Sequence, residues 1–324
     1  MNHAVLTLGA LALSSALSSH HAAAQNGYPS RAIRLIVPAA PGGGTDFTAR
    51  TIAQKLTESM GQTVIVDNRP GAAGNIGVDI AAKASPDGYT LVMPITSFSI
   101  NPHLYAKLPF DTIKDFAPVV LASSAPLFLV INPSVPAKSV SELIAVAKSK
   151  PGQLNYANSG NGTTAHLAGE LFKKMAGVDL VSVPYKGGGP AVIDLIAGSV
   201  QIYFSTIPAA LAQVQAGKLR GIAVTAKTRV SLIPDVPTVA ESGLPGFEVI
   251  GWFGIFVPAA TPKPIVARLN KEINAALRAP EMQKRLASEG LIPGGGTSEE
   301  LSNFLRAEVT KWGALIKEAG IQGS

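Results

Sequence analysis

Two glycine-rich segments of this chain have the composition of anion-binding turns. They are PGGGTD, residues 41–46, and SGNGTTAH, residues 159–166. Each follows a short strand-like run and leads into a helical pattern. Glycine permits positive φ angles and a close approach of the backbone to a ligand, and the first N–H groups of a helix have no partner within that helix. The two segments therefore favour binding of a compact anion such as a carboxylate.

Neither turn matches a nucleotide-binding motif. The phosphate-binding pattern G-x-x-x-x-G-K-[ST] is absent, and no lysine follows Gly44. Phe47 stands where the third glycine of a dinucleotide-binding turn would be, and the glycines of GAAGNIG (71–77) also miss that spacing. Each turn alone is also compatible with a purely structural role. The pair, with each member opening a helix, favours a ligand role and a carboxylate over a nucleotide.

Four polar side chains beside these turns each have a structural and a ligand-binding interpretation. Thr45 can cap its helix or donate to the ligand. Asp46 would repel a carboxylate, so support of helix N–H groups or of a bound water is favoured over ligand contact. His166 lies in a first helical turn, where the dipole disfavours imidazolium, and is either a helix support or a neutral donor. Lys186 is either solvated or able to reach a second carboxylate.

Further polar residues complete the candidate site. Ser97, Asn101 and Ser205 are expected at strand ends that face a ligand cleft. The substitution Gly44→Val is predicted to push a side chain into the space of the anion and to abolish binding without unfolding the protein. The full candidate ligand-binding set is Gly43, Gly44, Thr45, Asp46, Ser97, Asn101, Ser159, Gly160, Asn161, Gly162, Thr163, Thr164, His166, Lys186 and Ser205.

The residue inventory disfavours an enzyme. There is no cysteine, so disulfides and thiol nucleophiles are excluded. Three of the 5 histidines lie within the first 21 residues, which leaves only His103 and His166 for the rest of the chain. The patterns G-x-S-x-G and HExxH are absent. We therefore expect no catalytic residues, no metal and no cofactor, and a hydrolase or lyase is kept only as an alternative.

The elements that position the turns follow an alternating pattern. AIRLIV (32–37), TVIVD (63–67) and YTLVM (89–93) are typical of buried strands, and a helix ending at Gly61 connects the first two. Strands that alternate with helices predict parallel sheets built from βαβ units. A second such set extends from LFLVI (127–131), and its helix before Gly177 is predicted to bury Ala168, Leu171, Phe172 and Met175. Helices are predicted in the final third at 264–277, 280–289 and 298–319.

The two sets are joined near ASSAPLFLV (122–130) and again near GLPGFEVIGW (243–252). An exit and a return between the same lobes would place both connecting strands in a hinge, with a ligand cleft between the lobes.

The N-terminus predicts export. Ala4–Leu17 is apolar and uncharged, is too short to span a bilayer, and precedes HAAAQ, which is typical of signal-peptide cleavage after Ala24. The net charge is +6, but the basic residues are scattered and only 6% of residues are aromatic. Nucleic acid binding is therefore not expected.

With these residues in view, the chain resembles the Bug-type periplasmic solute-binding proteins of tripartite tricarboxylate transporters. The resemblance covers nearly the whole chain after the signal. Its motifs, in order, are PGGGTDFTAR, VIVDNRPGAAGNIG, DGYTL, INPHLY, DFAPV, NYANSGNGTTAHLAGELF, VPYKGGGPA, AGKLRGIAVT and DVPTVAESGLPGFE.

The resemblance implies an α/β, two-lobed periplasmic-binding-protein fold of type II (Venus flytrap) with a ligand cleft between the lobes. The expected domains are a signal peptide 1–24, domain 1 from 25–124 plus 248–324, and domain 2 from 125–247. The implied function is a periplasmic, monomeric receptor that binds a small organic acid and delivers it to the membrane subunits of the transporter. A receptor that signals to a membrane sensor kinase is the alternative.

Three positions depart from the family pattern. Ala39 stands where an aromatic residue is frequent, which implies a roomier pocket. Phe98 stands where a histidine is common before the INP segment, and Ser205 stands where an aspartate is frequent. If that aspartate pairs with positive ligand groups, this protein is expected to prefer a purely anionic or uncharged solute over a zwitterion.

Overall fold

The computed structural model describes residues 27–160, 162–185 and 187–321. The predicted signal peptide and two candidate ligand residues, Asn161 and Lys186, lie outside the described residues. The strands are β1 (Ile33–Val37), β2 (Val64–Asn68), β3 (Thr90–Val92), β4 (Phe116–Ile131), β5 (Asn155–Asn158), β6 (Val181–Pro184), β7 (Ile202–Thr206), β8 (Arg220–Val224), β9 (Ile250–Pro258) and β10 (Ile292–Gly295). The helices are α1 (Gly44–Met60), α2 (Asn75–Ala82), α3 (Ser97–Leu104), α4 (Val140–Ser149), α5 (Thr164–Ala176), α6 (Gly188–Ala197), α7 (Ile207–Gln215), α8 (Lys263–Arg278), α9 (Pro280–Ser288) and α10 (Ser298–Ala319).

The predicted parallel units are confirmed in both halves of the molecule. The strand order is β2-β1-β3-β9-β4-β7-β5-β6, and β8 and β10 also pair with β4. Strand β1 is parallel to β2 and β3, and β5 is parallel to β6 and β7. We call the part built around β1–β3 the first lobe and the part built around β5–β7 the second lobe. The glycine turns before α1 and α5 therefore lie at the carboxyl edges of two parallel strand sets, as ligand-binding turns do in open α/β sheets.

The strand that joins the lobes is longer than the sequence pattern indicated. Only the end of β4 was predicted as a strand, but it runs for 16 residues. Its first part pairs antiparallel with β9 as far as Pro126, and its last part, from Leu127, pairs antiparallel with β7. One continuous strand thus belongs to both lobes, and β9 lies beside it where the chain returns.

Separate apolar clusters hold the two lobes. The first lobe has one cluster that includes Leu35 and Ile52, and another in which Phe98 packs against Phe256. The second lobe has a cluster around Phe172, which packs against Phe204 at a ring-centroid distance of 5.8 Å. The C-terminal part of α10 adds Trp312, Leu315 and Ile316 to this second cluster. Helix α10 therefore contacts both lobes.

Local capping signals explain where several helices begin and end. Helix α1 ends at Gly61, whose φ of 69° is left-handed as a glycine C-cap requires. Thr297 and Glu300 form a reciprocal capping box at the start of α10, whose predicted span of 298–319 is confirmed. The predicted buried face of α5 was wrong for Met175, which is 36% exposed, and for the half-buried Leu171. Ala168 and Phe172 are buried as predicted, and the buried stripe continues through Ala165 and Ala176 instead.

Within the described ranges, no helix combines the length and apolar character needed to cross a membrane.

Candidate ligand-binding site

A cavity of about 350 Å³ lies between the two lobes and is lined by residues of both glycine turns. The first turn contributes Gly44 and Thr45. The second turn contributes Ser159 and Gly162–Ala165. The remaining polar lining residues are Thr96, Ser97, Asn101, Tyr105, Tyr203 and Thr206, and the apolar ones are Ala39, Ala73, Ile95, Leu104, Ala125, Leu127, Phe204, Gly251 and Phe253.

Four helices begin at this cavity. The starts of α1, α3, α5 and α7 contribute Thr45, Ser97, Thr164 and Thr206 to its lining. The first turn of a helix carries N–H groups without an intrahelical acceptor and the positive end of the helix dipole. No lysine, arginine, aspartate or glutamate of the described ranges lines the cavity. In the described lining, the groups available to an anion are backbone N–H groups and the side chains of serine, threonine, tyrosine and asparagine.

Asp46 supports the first glycine turn through hydrogen bonds. Its side chain is buried and accepts hydrogen bonds from the Gly42 backbone N–H at 3.0 Å, from Arg50 Nε at 2.9 Å and from Asn68 Nδ2 at 3.0 Å. Burial opposes the ionisation of Asp46, but these three bonds outweigh it and hold the pKa of the carboxyl below its usual value. Asp46 does not line the cavity. Its placement is that of a support for the turn.

His166 holds the second turn in a similar way. Its Nδ1 accepts the Gly162 backbone N–H at 3.1 Å, and its own backbone N–H reaches Thr163 Oγ1 at 3.4 Å. The Thr163 hydroxyl also donates to the Gly160 carbonyl at 2.7 Å. Burial lowers the pKa of His166, which keeps the imidazole neutral and Nδ1 free to accept. Neither His166 nor Gly160 lines the cavity.

Ser97 and Asn101 do line the cavity, but the prediction that they end strands was wrong. Both lie on α3, whose helical pattern is obscured in the sequence by Pro102. Ser97 Oγ donates to the Ala73 carbonyl at 2.7 Å, and Asn101 Nδ2 donates to the same carbonyl at 3.2 Å and to Asn75 Oδ1 at 2.7 Å. These bonds fix a short 3₁₀ turn, Ala72–Gly74, against the cavity.

Ala73 is a lining residue that the sequence analysis missed. Its φ is +52° and that of Ala72 is +48°, in a region that alanine seldom occupies. No sequence signal distinguishes these two alanines from residues of an ordinary helical turn. Strained backbone of this kind persists only where its surroundings hold it, here through Ser97 and Asn101.

The remaining candidates are placed away from the lining. Ser205 lies near the end of β7 as predicted, but it is fully buried and its Oγ donates to the Thr206 carbonyl at 3.0 Å. Its neighbours Phe204 and Thr206 line the cavity instead. Gly43 caps α1 without lining the cavity. The expected preference for anionic or uncharged solutes over zwitterions, which was based on Ser205, stays a prediction.

The backbone of Gly44 lines the cavity, whereas a side chain at this position would point towards Leu291 and Phe253. A Cβ added to Gly44 would lie 3.3 Å from Leu291 Cδ2 and 3.6 Å from Phe253 Cε2. The added side chain would therefore press first on Leu291 and lie in ordinary contact with Phe253, and the loss of binding in Gly44→Val stays a prediction.

Comparison with known proteins identifies the group to which these features belong. The sequence model of the family described as "Tripartite tricarboxylate transporter family receptor" matches residues 48–321 of this chain. The chain belongs to this receptor family. Protein BugT of Bordetella pertussis is 38% identical over 295 residues, which cover 90% of this chain and 90% of BugT. The resemblance to Bug-type proteins seen in the sequence is thereby confirmed.

Solved structures of receptors of this kind share the two-lobed fold. R. palustris Rpa4515 with adipate is 38% identical, with a TM-score of 0.81, and the match covers 92% of this chain and 100% of Rpa4515. The periplasmic binding protein BugD is 35% identical, with a TM-score of 0.77, over 92% of this chain and 100% of BugD. The predicted α/β fold of a periplasmic solute-binding protein is confirmed by these receptors.

Proposed function

We propose that this receptor captures a small organic carboxylate in the cavity between its lobes and delivers it to the membrane subunits of a tripartite tricarboxylate transporter. The observation that carries the proposal is the convergence of helix N-termini from both lobes on one cavity whose described lining has no charged side chain. A carboxylate is the compact anion that such N–H groups bind well. The solved structure of Rpa4515 is with adipate, which is a small carboxylate.

The available donors come close to the binding free energy that micromolar affinity needs. Hydrogen bonds to a charged group contribute about 1.5–3 kcal/mol each, so four or five give roughly 6–15 kcal/mol. Association costs at least about 4 kcal/mol. Micromolar binding needs about 8 kcal/mol net. The N–H groups at the starts of α1 and α5 come close to that value, and the hydroxyls of Thr45 and Thr164 add to it, so an arginine is not required.

The site residues fall into two groups in this proposal. Gly44, Thr45 and Thr164 contact the ligand carboxylate directly, because they begin the helices that face the cavity. Asp46 and His166 act as positioning residues, because they hold the turns through Gly42 and Gly162.

The two lobes act as a clamp around the ligand. Domain 1 comprises 25–124 plus 248–324, and domain 2 comprises 125–247. Strands β4 and β9, which pair where the lobes meet, form the hinge. The N-terminal apolar segment directs export, so the receptor works in the periplasm. There it acts as a monomer and without catalytic turnover.

Thermal stabilisation by a panel of mono-, di- and tricarboxylates tests this function. A bound acid should raise stability by about 2.7 kcal/mol at a hundredfold excess over Kd, and the acid should be recovered unchanged. Thr45→Val and Thr164→Val should each weaken binding about tenfold, because each removes one hydroxyl donor of about 1.5 kcal/mol. The matched control is Thr310→Val on the exposed face of α10, which should leave affinity unchanged. The absence of any stabilisation across the panel would refute the proposal.

A further inference from the structure

We infer that the preferred ligand is a carboxylate with an unsubstituted hydrocarbon body, and that the two strands joining the lobes form the surface on which this body lies. This inference rests on the proposed function and adds the class of acid. It follows from the distribution of polar and apolar groups around the cavity.

The joining strands present an apolar floor, which we define as Ala125, Leu127, Gly251 and Phe253. Ala125 and Leu127 lie two residues apart on β4, and Gly251 and Phe253 lie two residues apart on β9, so each pair shares one face of its strand. Ala125 is directly opposite Gly251 in the ladder. All four residues line the cavity.

The two residues at the centre of the floor are small. Gly251 has no side chain and Ala125 has only a methyl group, and a Cβ on Gly251 would lie 3.1 Å from the Ala125 carbonyl oxygen, 3.4 Å from the Ala125 Cβ and 3.7 Å from Thr96 Oγ1. Gly251 and Ala125 therefore leave an open strip between Leu127 and Phe253. A ligand body placed there contacts methyl, methylene and aromatic groups, and its removal from water is favourable in proportion to its apolar area.

The hydrogen-bonding groups of the lining favour the anionic end and offer little to a polar body. Four lining polar side chains already form hydrogen bonds within the protein: Ser97 and Asn101 with the Ala73 carbonyl, Thr163 with the Gly160 carbonyl, and Thr96 with the Trp252 backbone N–H. The described part of the lining contains no aspartate or glutamate to pair with an ammonium group. Hydroxyl or amino substituents over the floor would lose water against four residues whose side chains offer no hydrogen-bonding group.

Matched pairs of acids test the inference by calorimetric titration. Adipate and galactarate have the same six-carbon chain and two carboxylates, but galactarate carries hydroxyls along the chain. Hexanoate and gluconate form the corresponding monocarboxylate pair, and cyclohexanecarboxylate and quinate form a ring pair. In every pair that binds, we expect the hydrocarbon acid to bind at least tenfold more tightly. Along the series from succinate to adipate, affinity should rise about fourfold per methylene, equivalent to about 0.8 kcal/mol each.

Two isosteric variants locate the body on the floor. Ala125→Val and Ala125→Thr add side chains of similar shape at the centre of the strip, but only threonine adds a hydroxyl. We expect both to weaken adipate binding by a similar steric amount, and Ala125→Thr to lower the adipate-to-galactarate affinity ratio at least fivefold relative to Ala125→Val. The melting temperature without ligand verifies that both variants are folded.

Three other results would contradict the inference or the proposed function. Equal or tighter binding of the hydroxylated acids would overturn the inference and leave the proposed receptor function intact. The same affinity ratio in Ala125→Thr as in Ala125→Val would overturn the placement on the floor. Failure of every carboxylate to bind would refute the proposed function itself, and the inference with it.

Discussion

The buried carboxylate of Asp46 provides a sharp test of how the first turn is held. Replacing Asp46 with alanine removes bonds from the Gly42 N–H, Asn68 and Arg50. The first two are charge-assisted bonds to a buried acceptor, worth at least about 1.5 kcal/mol each. The Arg50 side chain is 54% exposed, so its i,i+4 pair adds only about 0.3–0.5 kcal/mol. We therefore expect Asp46→Ala to lower the free energy of unfolding by about 3 kcal/mol.

The pH dependence of that loss identifies its origin. The folded-state pKa of Asp46 lies below its unfolded value, so the carboxylate stabilises the protein above about pH 4, and this contribution is lost as the pH falls through the folded-state pKa. The stability difference between wild type and Asp46→Asn should therefore be constant from pH 5 to 8 and should shrink at lower pH.

Denaturant unfolding over this pH range and ligand titration at pH 7 are the assays. Glu58→Gln serves as the control on the same helix, because the Glu58 side chain is 53% exposed in its pair with Lys55. It should change stability by less than about 0.5 kcal/mol. Binding should weaken about tenfold in Asp46→Ala, because the turn loses its Gly42 anchor. Tighter carboxylate binding by Asp46→Ala would refute the reasoning, since it would mean that Asp46 faces and repels the ligand.

Two further perturbations test other supports of the site and fold. His166→Ala should weaken ligand binding several-fold by releasing the Gly162 N–H. Since burial depresses the pKa of His166, wild-type stability should fall as the pH drops below about 6.5, and this part of the pH dependence should be absent in the variant, as measured by thermal unfolding. Gly169→Ala should lower the free energy of unfolding by about 1–3 kcal/mol, because its Cβ would overlap the Tyr156 ring; a calorimetric scan that shows no loss would contradict the packing.

Local sequence patterns were sufficient for the elements that carry their own signals. The β-branched run of β1, the apolar face of α1 and Gly61 at its end predicted a βα unit with a glycine turn between them. The helical pattern after the PGGG turn at 293–296 likewise predicted α10, and the structure shows that Thr297 and Glu300 cap its start. These signals depend on residues within one or two turns of each other, so they can be interpreted without the fold.

The sequence alone thus determined the alternating architecture, the two glycine turns and, through the order of its motifs, the receptor family. Only the tertiary structure decided which polar groups reach the cavity, because the packing of the lobes sets the side of each turn that faces it, and Asn68, which is distant in the sequence, helps to hold the Asp46 carboxylate. The positive φ angles of Ala72 and Ala73 are likewise held by bonds to the Ala73 carbonyl from another helix, α3. The cavity floor exists because β4 and β9, which are far apart in the chain, pair side by side and bring Ala125 opposite Gly251.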